Sequence, residues 1–134
     1  MIFLDANFII NFYVKNYKYH ERAKKLMKSF KNDCLVVSKL VIVETITVMA
    51  IKLKQNPELI SKVYKELNEY YNVLIDNNHY DKGFEIFQRE FKNKKQRLPL
   101  FDCVYMALMK DLGIKQIASF DKHFDNKEGI ERVY

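Results

Sequence analysis

The chain has 134 residues, 23 Lys and Arg against 17 Asp and Glu, and a formal net charge of +6. At this length one domain, 1–134, is the default, and 49% apolar residues suffice for a real core. Three glycines and two prolines argue against a sandwich or barrel with frequent turns, and against disorder or linkers.

Cys34 and Cys103 lie far apart with no CxxC spacing, which argues against a disulfide framework or a structural zinc site. The start, MIFLDANFIINFYV, has no basic lead and is interrupted by Asp5, so it reads as neither export signal nor membrane span. Two free thiols then suggest a reducing cytoplasm. Nineteen of the 23 cations are Lys, which permits a polyanionic partner without requiring one.

In chain order, the apolar run 1–4 predicts a buried strand, and 8–14 a helix behind the capping residues Asp5 to Asn7. Ala23, Leu26, Met27 and Phe30 mark one face of a helix over 19–30, followed by a second buried strand at 34–37. Ser38 can cap a helix from Lys39 to Lys54, although the β-branched run VIVETITV favours strand by propensity alone; length decides for helix. Pro57 opens another helix with Leu59, Ile60, Val63, Tyr64 and Leu67 on one face. NVLI (72–75) predicts a third strand, 79–91 a helix, and Pro99 to Gly113 a helix with its stop signal. QIAS (116–119) makes a fourth strand, and ERVY a fifth at the edge. Short apolar strands between helices predict an α/β fold with a mainly parallel sheet of about five strands.

Four acids break this pattern. Asp5 and Asp121 follow apolar strands, where parallel sheets collect ligands. Glu44 and Asp102 interrupt apolar helical rows: Leu40, Val41, Thr47 and Val48 flank the first, Tyr105 and Met106 the second. A buried, unpaired carboxylate costs several kcal/mol. One such acid is commonly a cap or a partner of Lys or Arg. Four at strand ends and early helical positions, with no Lys or Arg on those rows, predict convergence on a hard divalent cation. Oxygen ligands suit Mg²⁺ or Mn²⁺, not zinc, and the natural chemistry is phosphodiester hydrolysis.

The order LDAN, VSKLVIVE, LPLFDCVYMALMKDLGIKQIASFDKHFD resembles a PIN domain, nearest to the VapC-type toxin ribonucleases of prokaryotic toxin–antitoxin pairs. The resemblance spans essentially the whole chain, and the segment ending in SFDKHFD is its most specific part. It implies a PIN-like α/β fold, with Asp5, Glu44, Asp102 and Asp121 matching the family's acidic quartet. It also implies a Mg²⁺- or Mn²⁺-dependent endoribonuclease, with RNA as substrate, an antitoxin partner and a homodimer. Asn7 and Ser119 match polar positions beside the first and last acids. Ala6 departs from the pattern, since relatives often carry Thr or Ser there.

Asp125 reads first as a surface or cap residue and second as an auxiliary ligand. His123 reads as a solvated side chain rather than a general acid. His20 and His79 read as helix-start residues, and Tyr70, Tyr71, Met106 and Met109 as core. Lys92, Lys94, Lys95 and Arg97 form a basic run just before Asp102, either an RNA-binding lip or a solvated loop. The helix over 39–54 is apolar nearly all round, which predicts a homodimer interface there and along 57–70, unless the second helix covers the first within one chain. There is no GxSxG elbow, P-loop or GxGxxG turn. A haloacid-dehalogenase-like phosphatase would want a second Asp where Asn7 stands. The other rival is a PIN-like scaffold that binds RNA or protein without cutting.

Overall fold

The computed structural model describes residues 1–92 and 97–134. Its strands are β1 (Ile2–Leu4), β2 (Leu35–Ser38), β3 (Asn72–Leu74), β4 (Gln116–Ala118) and β5 (Glu131–Val133). The helices are α1 (Ala6–Tyr13), α2 (His20–Ser29), α3 (Lys39–Thr47), α4 (Pro57–Glu69), α5 (Tyr80–Lys92) and α6 (Leu100–Leu112). All pairings are parallel, in the order β3-β2-β1-β4-β5. Phe3 on the central strand sits beside Val36 on one side and Ile117 on the other.

This order explains why the strands are so apolar. A parallel sheet needs helical crossovers, which cover both faces, so Ile2, Phe3, Leu4, Val36, Val37, Ile117 and Ala118 are all buried. The chain winds outward from β1 through β2 to β3, then returns to the other side of β1 to lay down β4 and β5. The switch of direction falls between β1 and β4. In open α/β sheets that crevice, at the carboxyl ends of the strands, is where ligands bind.

Helix α6 runs nearly buried from Asp102 to Met109 and packs Tyr105 against Phe3, the rings tilted and their centroids 5.5 Å apart. Helix α5 packs along α6 at Gly83, where an added Cβ would lie 2.7 Å from Val104 Cγ2 and 2.8 Å from Val104 Cα. Gly113 ends α6 at φ 68°, a left-handed conformation that glycine adopts without penalty. On the other branch, α1 packs against α2 and α3.

The β-branched segment after β2 is helical, because its N-terminus is capped twice. Ser38 Oγ accepts from the Val41 N–H at 3.2 Å, and Asp76 Oδ2 accepts from the Leu40 N–H at 2.8 Å. The regular helix is shorter than expected. After Thr47 it widens into a π-helical turn over Val48–Lys52, and Lys54, at φ 48°, turns the chain toward α4. Asp76 is buried (2% exposed) alongside Asp5 and Asp102, although it is not among the four acids that break the apolar pattern. The α3 amide and the Tyr80 hydroxyl occupy its two oxygens, so it needs no ion.

Helix α4 buries Val63 and Leu67, and it packs against α3 and the π turn. It therefore covers part of the apolar face that was expected to need a partner. Val43 and Ile51 remain 60% and 75% exposed. Tyr70 also differs from expectation: it closes α4 on the outside and is 73% exposed, whereas Tyr71 is half-buried with its hydroxyl 3.5 Å from that of Tyr13. No described helix is long and apolar enough to cross a membrane.

Candidate metal centre

Asp5 is the residue after β1 and the first before α1, so strand and helix together fix its backbone. Its side chain does not cap that helix. Instead Oδ2 accepts a 2.7 Å hydrogen bond from Ser119 Oγ, with Asp5 only 3% exposed. Ser119, fully buried after β4, uses the same Oγ to accept from the Asp121 N–H at 3.0 Å. One hydroxyl thus ties the acid of the first strand to the backbone of the acid after the fourth. Asn7 holds the same loop from the α1 side, its Oδ1 accepting from the Phe120 N–H at 3.2 Å.

Asp121 opens a 3₁₀ turn over Lys122–Phe124 and caps it through Oδ1, which accepts from the His123 N–H at 3.1 Å. Its Oδ2 faces His123 Nδ1 at 3.1 Å. The same nitrogen lies 2.9 Å from Oδ2 of Asp102, which is 5% exposed in the first turn of α6. Glu44 reaches in from the middle of α3 and accepts from the Tyr105 hydroxyl.

The electrostatics tie the four carboxylates together. Burial pushes Asp5 well above the usual carboxylate range, and the charges of Asp102, Glu44 and Asp121 push it further against the Ser119 hydrogen bond. Burial, then Glu44 and Asp121, raises Asp102 to about 8. Glu44 is raised by burial and by Asp121, and eased by the Tyr105 hydroxyl. Among the described residues no Lys or Arg forms an ion pair with any of the four.

The PIN domain profile matches residues 2–130. The chain belongs to the PIN domain family. Similar solved structures include the sarcin–ricin-loop-cleaving toxin VapC20 of Mycobacterium tuberculosis, at 20% identity, 92% coverage of each chain and a TM-score of 0.76. DNA-bound VapBC of Salmonella typhimurium follows at 15% identity, covering 98% of this chain and 96% of that one, with a TM-score of 0.71. A toxin–antitoxin complex of Klebsiella pneumoniae has the same coverage at 16% identity and a TM-score of 0.70. No curated protein matches the chain.

PIN domains are typically nucleases that use divalent metal ions, and the residues here fit such an ion. Asp5, Glu44 and Asp102, which burial and acidic neighbours hold against ionisation and which pair with no Lys or Arg among the described residues, make with Asp121 a donor set that a hard cation relieves. One ligand atom from each of Asp102, Asp121 and His123 lies within 4.8 Å of the others.

Two sequence expectations change at this PIN site. His123 is not a freely solvated side chain: its ring bridges two of the acids, and its own side chain is only 30% exposed. A signal was available, since a histidine two residues after a capping acid is carried back over it by a tight turn. Asp125 is drawn away from the cluster. Both its oxygens bind the Arg132 guanidinium, at 2.6 and 3.0 Å, which holds its carboxyl below the usual range and ties it to β5. Tyr105, read only as an apolar-row neighbour, supplies the hydrogen bond to Glu44. In the basic run, Lys92 ends α5 exposed, and the Arg97 guanidinium lies 4.8 Å from the Phe91 ring centroid. Lys94 and Lys95 lie outside the described residues.

Proposed function

We propose that this chain is a divalent-metal-dependent endoribonuclease, the toxin of a type II toxin–antitoxin pair. In this reading Mg²⁺ or Mn²⁺ is held by Asp5, Glu44, Asp102 and Asp121. The observation that carries it is the strain on Asp5, Glu44 and Asp102, which burial and neighbouring acidic charge hold against ionisation beside Asp121 at the crevice between β1 and β4. When bound, the cation would polarise the scissile phosphoryl group and activate water. The chain's own residues then have simple tasks. Ser119 keeps Asp5 oriented and sets the backbone of Asp121, while Tyr105 orients Glu44. Asn7 fixes the loop that carries Asp121. Lys92, Lys94, Lys95 and Arg97 would draw the RNA backbone toward a site that otherwise repels phosphate.

The partners follow from the same reading: an RNA substrate, a cognate antitoxin and a second copy of the chain, in the cytoplasm. Support for the antitoxin comes from the Salmonella and Klebsiella complexes, which share this fold. The homodimer would cover Val43 and Ile51 of the α3 and π-turn surface, with Tyr64 and Tyr70 of α4 nearby, all more than half exposed. A monomeric mass by light scattering at micromolar concentration would refute it. Cys34 and Cys103, both unbridged, suit a reducing compartment.

The test of the activity is cleavage of single-stranded or looped RNA by the purified chain with Mg²⁺ or Mn²⁺. Cleavage is expected to stop with EDTA and with Asp5→Asn. Metal-dependent cleavage that survives Asp5→Asn would remove Asp5 from the site. Metal binding without cleavage of any RNA offered would favour the non-catalytic scaffold.

A further inference from the structure

The four-carboxylate reading assigns the cation oxygen ligands only, yet the structure brings a nitrogen to the same place. Of the three histidines, two are engaged elsewhere: His20 Nδ1 lies 2.9 Å from the Asn11 carbonyl oxygen, and His79 Nε2 lies 2.9 Å from Asp111. His123 turns Nδ1 into the cluster, 2.9 Å from Asp102 Oδ2 and 3.1 Å from Asp121 Oδ2. The ring is held there. Its backbone N–H is bound by Asp121 Oδ1, and the next residue, Phe124, is fully buried and anchors the turn.

We propose that Nδ1 of His123 is a ligand of the cation, beside Asp102 and Asp121, and that it biases the site toward Mn²⁺ over Mg²⁺. The inference rests on the metal-site reading above. Adjacent ligand atoms of an octahedral ion with bonds of about 2.1 Å sit roughly 3 Å apart, the spacing found between this nitrogen and both carboxylates. Carboxylate and water oxygen suit both ions, but Mn²⁺, a transition metal with partly filled d orbitals, also bonds imidazole nitrogen, which the harder Mg²⁺ takes reluctantly. A nitrogen in the set therefore adds affinity for Mn²⁺ and little for Mg²⁺. Coordination through Nδ1 leaves the ring proton on Nε2. If the ring only donates a hydrogen bond to the two carboxylates, it is a positioning residue and discriminates between the metals not at all.

The experiment uses the full chain stripped with EDTA and reloaded with Mn²⁺. Pulsed electron paramagnetic resonance reads nitrogen couplings to the bound ion, in unlabelled protein and in protein carrying ¹⁵N-histidine. Calorimetric titrations of Mn²⁺ and Mg²⁺ compare wild type, His123→Gln and Asp5→Asn. The expected result is a directly bound histidine nitrogen whose couplings change with the isotope and vanish in His123→Gln. That variant should lose Mn²⁺ affinity by at least the ~10–100-fold that removing an outer partner of a ligand costs, with much less change for Mg²⁺. Bound Mn²⁺ without histidine couplings overturns the proposal, and the labelled wild type gives that result even if the variant fails to fold. Equal losses for both metals also overturn it, by making His123 a positioning residue. Failure of the underlying site looks different: Asp5→Asn would bind Mn²⁺ as tightly as wild type. A wild type that takes up no Mn²⁺ would overturn both.

Discussion

Asp102→Asn in the metal-free protein is the sharpest probe of the carboxylate cluster, because it removes one charge without changing the shape of the side chain. Burial and the charges of Glu44 and Asp121 raise Asp102 to about 8, while an unfolded chain releases that proton near the ordinary carboxylate value of 3.8. Over the interval between them the folded state holds a proton that the unfolded state has lost. Stability is therefore full below the unfolded value and falls as pH rises toward 8, by about 1.4 kcal/mol per pH unit. Across the whole interval the ceiling is on the order of 5 kcal/mol, a large part of the ~5–15 kcal/mol that holds a domain folded. Penetrating water reduces this. Even 2–3 kcal/mol would lower the thermal midpoint by about 10 °C in a domain of this size.

The assay is thermal melting in EDTA from pH 5 to 8.5, for wild type and Asp102→Asn side by side. The difference between them isolates what the Asp102 carboxyl contributes, together with its contact to His123. Wild type is expected to lose stability steadily as pH rises and to regain it with Mn²⁺. The variant should be flatter, more stable than wild type at pH 8 and insensitive to metal. A variant no more stable than wild type at pH 8 in EDTA would refute the reasoning, because the buried charge would then carry no strain.

Gly83→Ala should destabilise the fold by about 1–3 kcal/mol in chemical denaturation, since the new methyl meets the Val104 backbone as well as its side chain, and the backbone cannot move aside; a stabilised variant would show that helix propensity outweighs the clash. Asp125→Ala should lower the melting temperature, because it strips the nearly buried Arg132 of its carboxylate, and should leave Mn²⁺ affinity unchanged. Weakened Mn²⁺ binding in a folded Asp125→Ala protein would return that acid to the site. Neutralising Lys92, Lys94, Lys95 and Arg97 together should flatten the salt dependence of RNA binding by roughly 0.7 per lost phosphate contact. An unchanged slope, with cleavage intact, would make the run a solubility feature.

Much of the architecture is legible along the chain because it is locally encoded. Runs such as MIFL and CLVV are too short for helices and too apolar for surfaces, and the glycine after α6 sets its stop. The acids at 5, 44, 102 and 121 stand out for the same reason: each breaks a pattern that burial would otherwise require to be apolar. Asp76 does not stand out in the sequence, because its partner amide at Leu40 lies thirty-six residues away. His123 looked like a surface histidine until the turn after β4 carried its ring over Asp102, twenty-one residues upstream. Asp125 became an ion-pair residue only once β5 aligned Arg132 beside it. Hydrophobic periodicity records which side of an element faces inward, and nothing more. Which polar atoms meet there depends on strand order and on the crossovers between strands, and these exist only once the sheet has formed.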